Sequence, residues 1–102
     1  MVVNIKNEFV EFKAYPASSV FVQFKKDEGE SVEVAVQNPE KDQVSILCKL
    51  VYLAHKAYCR LTDGTPSITE EKIMDALTLN ELTDIFQKFM GTEIKGEQKK
   101  TK

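Results

Sequence analysis

A chain of 102 residues has the length of one domain and can bury a single modest core. A hydrophobic share of 42% excludes the composition of a disordered protein, and a formal net charge of −2 argues against nucleic acid as the main ligand, since phosphate binding needs a basic face. No window approaches the roughly 18 apolar residues of a membrane span, and MVVNIKNEF lacks the basic region and apolar run of a secretory signal, so a cytoplasmic location is expected.

The opening stretch, VVNIKNEFVEFKAYP, gives two short β-prone runs hinged near Asn7 and ended by Pro16, which would interrupt a sheet. The next, SVFVQFKKDEGESVEVAVQ, also alternates. Val20, Val22 and Phe24 share one face of an extended chain, Val32, Val34 and Val36 share another, and Asp27-Glu28-Gly29 lies between them as a turn. A second hairpin is the reading these residues favour. Its rival is a short helix from Pro16 to Glu28 closed by Gly29, because Pro and Ser open helices and Gly ends them. The succession Val20, Phe21, Val22 is poor in helix formers and tips the balance to the strand.

Helix signals then take over. Asn38-Pro39 reads as a cap and first turn, and the pattern runs to Asp63-Gly64, so a long helix is expected over roughly 39–62. At about 100° per residue, Val44, Leu47, Leu50, Val51, Ala54, Tyr58 and Leu61 form its apolar stripe. Ile46, Leu53 and Ala57 widen the stripe on one flank; Cys48, His55 and Cys59 widen it on the other. Only Ser45, Lys49, Lys56 and Arg60 are clearly polar. A helix apolar over more than half its circumference is either the central core helix or also packs on another subunit.

After the loop TDGTPS, Thr69 caps a short helix whose first turn holds Glu70 and Glu71, where carboxylates suit the helix dipole. Thr78-Leu79-Asn80-Glu81 has the form of a capping box, so a second helix starts there. Leu79, Leu82, Ile85, Phe86, Phe89 and Met90 share one face of it, and Gly91 is expected to close it. Residues 92–102, rich in lysine, read as a flexible basic tail. The expected fold is α+β over 1–91, with N-terminal antiparallel β-hairpins packed on a C-terminal set of about three helices.

Catalytic chemistry is thinly represented. Cys48 and Cys59 fall eleven residues apart in one helix, about 16 Å along its axis, well beyond the roughly 7 Å between Cα atoms that a disulfide can bridge. Free thiols fit a reducing compartment. His55 and Cys59 are one turn apart and Cys48 lies two turns below, yet one histidine and two cysteines fall short of the four ligands of structural zinc. A Cys-His nucleophile would further need an orienting group and an oxyanion site, and neither is signalled. Glu70, Glu71, Asp75, Glu81 and Asp84 fit caps and solvated faces rather than an acid/base pair. Gly29, Gly64, Gly91 and Gly96 are isolated, so no phosphate loop is present. Lys49, Lys56 and Arg60 read as a solvated strip. No enzyme, metal or cofactor is expected.

The layout of a strand-rich start, a long apolar helix and SITEEKIMDALTLNELTDIFQKFMG resembles the tail assembly chaperones of long-tailed bacteriophages over about residues 3–91, most closely from Ile68 to Met90. The resemblance implies a non-enzymatic protein that coats the tape-measure protein, keeps its apolar helices soluble and recruits tail tube subunits. It also implies that a longer form can arise by translational frameshifting. Such a role needs apolar surface beyond the core, and the residues expected to supply it are Leu53, Ala57, Phe86, Phe89 and Met90, with self-association into a homo-oligomer. The alternative expectation is a small regulatory or inhibitory binding protein, phage-encoded or bacterial, that presents a hairpin edge or acidic helices to a host protein.

Overall fold

The computed structural model describes residues 1–101, with side chains described over 1–91. Seven elements follow in order: β1 (Val3–Lys6), β2 (Glu11–Ala14), α1 (Ser18–Glu28), α2 (Val32–Ala35), α3 (Gln43–Leu61), α4 (Glu70–Ala76) and α5 (Leu79–Thr101). The fold is α+β, with one antiparallel hairpin followed by five helices.

The hairpin forms where the alternation places it. Val3 pairs with Ala14 and Ile5 with Phe12, and these four side chains are buried. Asn4, Lys6, Glu11 and Lys13 face outward, with Lys6 opposite Glu11 as an oppositely charged cross-strand pair. Asn7 builds the turn: its N–H donates to the Val10 carbonyl at 2.9 Å, while its side-chain oxygen accepts from the N–H groups of Phe9 and Val10.

Residues 18–36 depart from the second hairpin and follow the rival reading. In α1, Val20 and Phe24 are four apart and buried together, whereas Val22 turns to solvent and Phe21 is half-buried. Gly29 closes the helix at φ 83°, donating its N–H to the Lys25 carbonyl at 2.8 Å. Ser31 caps the short α2, which buries Val32 and Ala35 and exposes Val34. The low helix propensity of the valines is overridden by packing, because α1 and α2 cover α3 with one face each.

The long helix begins four residues later than expected. Asn38 makes a turn of its own, accepting from the Glu40 N–H at 2.9 Å, and Asp42 is the cap, accepting from Val44 N–H and Ser45 Oγ–H. The end falls as read. Asp63 is left-handed at φ 57° and Gly64 donates its N–H back to the Cys59 carbonyl at 2.8 Å. Between these ends α3 is the central core helix. Ile46, Leu47, Cys48, Leu50, Val51, Leu53, Ala54, His55, Ala57 and Cys59 are all buried, against α1, α2, β2, α4 and α5. Leu61, placed on the stripe by its spacing, is the last residue of α3 and is 67% exposed.

Two ties fix the hairpin to α3: Tyr15 N–H donates to the Ala54 carbonyl at 3.0 Å, and His55 Nδ1–H donates to the Lys13 carbonyl at 2.7 Å. Lysines tie the other side. Lys49 on α3 reaches Asp27 at 3.2 Å and Glu28 at 3.6 Å, and Lys41 reaches Glu30 at 3.1 Å. These cations offset the carboxylates that stand at the unfavourable, C-terminal end of α1.

Thr69 caps α4, and the capping box separates α4 from α5: Thr78 N–H donates to Glu81 Oε1 at 2.9 Å and Glu81 N–H donates to Thr78 Oγ1 at 3.2 Å. Gly91 does not close α5, which continues to Thr101. Closure by glycine takes a left-handed φ, and Gly29 alone adopts one among the described glycines; a glycine inside a helix costs only about 1 kcal/mol. The side chains of the expected basic tail, 92–102, lie outside those described.

Candidate protein-binding surface

Because α1 buries Val20 and Phe24, its opposite shoulder carries Phe21, Val22 and Lys25 outward. Gly29 ends α1, α2 packs against it, and Met90 of α5 lines the same place. The result is a groove of about 270 Å³ with Phe21, Val22, Val32 and Met90 as its apolar lining. Lys25 stands on the α1 rim and Glu33 on the α2 rim. Val32 is buried in the floor, while Val22 is 61% exposed at the lip. An apolar trough with opposite charges on its two rims suits the apolar face of a helix.

The five residues expected at a protein-binding surface divide on placement. Leu53, Ala57 and Phe89 are buried core residues, because α1 and α5 close over the flanks of α3. Phe86 is partly buried and packs against the core. Met90, also partly buried, is the one that lines the groove. Phe21, Val22 and Val32 were not among the expected residues. The helical spacing of 18–28 held the signal, since a helix that buries 20 and 24 must present 21, 22 and 25 elsewhere.

The other cluster of chemical interest surrounds His55. Its Nδ1 faces the Lys13 carbonyl and so carries the proton, leaving Nε2 to accept from the Ser67 N–H at 3.1 Å. Ser67 Oγ stands 3.5 Å and Cys59 Sγ 3.7 Å from the same nitrogen, and the ring meets Phe12 edge-on at 5.3 Å. A Ser or Cys nucleophile needs that nitrogen as its base, but its lone pair is occupied by a main-chain amide. The arrangement ties β2, α3 and the loop before α4 together. Cys48 lies apart from it, with its thiol pushed up to about 11 by burial and by the nearby carboxylates Glu70 and Asp42. Among the described residues no three His, Cys, Asp or Glu side chains stand where they could hold a metal ion.

Glu81 is engaged as the capping-box carboxylate. Its carboxyl is held below the usual range, first by the Thr78 N–H and then by Asn7 and the Thr78 hydroxyl. Among the described residues, no helix is long and apolar enough to cross a membrane. No protein-family model matches the chain, and neither a curated protein nor a solved structure matches it.

Proposed function

We propose that this chain is a non-catalytic binding protein of the tail assembly chaperone type, acting in the cytoplasm of a phage host. In this reading the groove between α1, α2 and α5 takes an apolar helical face of the tape-measure protein, keeps it soluble, and supports tail tube assembly. The observation that carries it is the groove itself, in which Val22 stands exposed beside Phe21 and Met90 on well-packed helices. The engagement of the His55 cluster and of the Glu81 carboxylate in structural hydrogen bonds supports a binding role over catalysis.

Co-expression with the tape-measure protein of the same genome tests the proposal. The expected result is a soluble complex that the tape-measure protein does not form alone. Equal solubility with and without this chain, and no recovered complex, would overturn it. A second reading, a binding protein directed at a host target, is favoured by the edge of β1 that does not pair with β2. That edge borders a cleft of about 170 Å³ against Glu81, Asp84 and Ile85 of α5, where an extended segment could add to the sheet. Capture of a host protein that is lost on Asn4→Pro, with no tape-measure complex, would select that reading.

A further inference from the structure

We propose that the hairpin tip and α4 form a two-fold interface between two copies of this chain. Phe9 stands at the tip with 67% of its surface exposed. Its backbone is nevertheless pinned, since Asn7 Oδ1 accepts its N–H at 2.8 Å and Asn7 Nδ2–H donates to the Ala76 carbonyl at 2.8 Å. A large aromatic side chain on a fixed backbone has the form of an interface anchor, because little main-chain freedom is lost when it docks.

Phe9 itself forms one wall of an alcove of about 140 Å³, whose other walls are Lys72, Asp75 and Ala76 of α4, so a partner's Phe9 seated there meets this ring as well. Lys72 and Asp75 are three residues apart on the exposed face of α4, and neither makes an ion pair among the described residues. This pattern is complementary to itself. A two-fold axis running between antiparallel α4 helices sets Lys72 against the partner's Asp75 and Asp75 against the partner's Lys72, and seats each Phe9 in the alcove of the other copy. A second copy therefore supplies by symmetry both the aromatic anchor and the ordered pair of charges. This surface is separate in residues from the groove of α1, α2 and α5, so the inference stands or falls independently of the proposed function.

Sedimentation equilibrium of the full chain over a range of concentrations, at low salt, tests it. The expected result is a reversible dimer whose dissociation constant rises at least about tenfold in Phe9→Ser, in Lys72→Glu and in Asp75→Lys. The doubly exchanged Lys72→Glu/Asp75→Lys chain is expected to return to within about threefold of the original. All three positions are solvent-facing, so urea unfolding serves as the check that each variant keeps its fold. A chain that stays monomeric throughout, a dimer indifferent to Phe9→Ser, or a double exchange no better than the single ones would overturn the proposal.

Discussion

The side-chain amide of Asn7 donates to the main-chain carbonyl of Ala76 at 2.8 Å, joining the hairpin turn to the end of α4 across 69 residues of sequence. The same side chain accepts from Phe9 and Val10, so one residue shapes the turn and docks it. Asn7→Ala is expected to lower stability by about 1–3 kcal/mol, the range for stranding part-buried hydrogen-bonding groups. Asn7→Asp keeps the turn acceptor but sets a carboxylate against the Ala76 carbonyl and Glu81, and should be no more stable than the alanine variant. Urea unfolding of the three proteins checks both statements.

The packing of α3 separates two leucines that share its sequence stripe. Leu50 is fully buried and Leu61 is exposed. Leu50→Ala should cost about 2–5 kcal/mol, and Leu61→Ala should stay within about 0.5 kcal/mol of the unaltered protein. A small effect at Leu50 in urea unfolding would mean that α3 is turned differently.

Among the described residues, three carboxyls are held below their ordinary values. Glu81 is lowered by the Thr78 N–H; Asp27 by hydrogen bonds from Lys49 and then Gln23; Glu30 by Lys41. A group whose folded pKa is depressed stabilises the fold fully above its unfolded value and loses that contribution as pH falls through the folded one. The contribution of these three groups is therefore expected to be constant near neutrality and to be lost with acid below ordinary values of 4.5 for the glutamates and 3.8 for Asp27. Urea midpoints across that range should fall less steeply in Glu81→Gln than in the unaltered protein.

Both thiols are buried, and that of Cys48 is pushed up to about 11. Neither is expected to react with Ellman's reagent in the folded protein near neutral pH, and both should titrate in denaturant. A thiol that reacts promptly without unfolding would contradict the packing around α3.

How far the fold can be read from residues depends on how local its causes are. The first hairpin, the capping box of Thr78 and Glu81 and the stop at Asp63-Gly64 are written in neighbouring residues, and all three stand in the structure. Residues 18–36 are different. Val20, Val22 and Phe24 satisfy a period of two, while Val20 with Phe24 and Val32 with Val36 satisfy a helical one, and the β-branched side chains favour the strand. The decision comes from α3, whose apolar flanks need the cover that α1 and α2 provide. The same distant cause hides the surface. Leu53 and Phe89 are indistinguishable by type from surface anchors until the elements over them are counted, and Phe21 and Val22 emerge as groove residues only once α1 is a helix.

In the proposed function, the groove of α1, α2 and α5 holds the tape-measure protein. Pull-down of that complex with Val22→Asp and with Leu61→Asp compares two similarly exposed positions, of which only Val22 lines the groove. Both proteins should fold, with stability changed by about 0.5 kcal/mol or less. Val22→Asp is expected to weaken capture of the tape-measure protein by at least about tenfold, and Leu61→Asp to leave it unchanged. Equal capture by the two variants would contradict it.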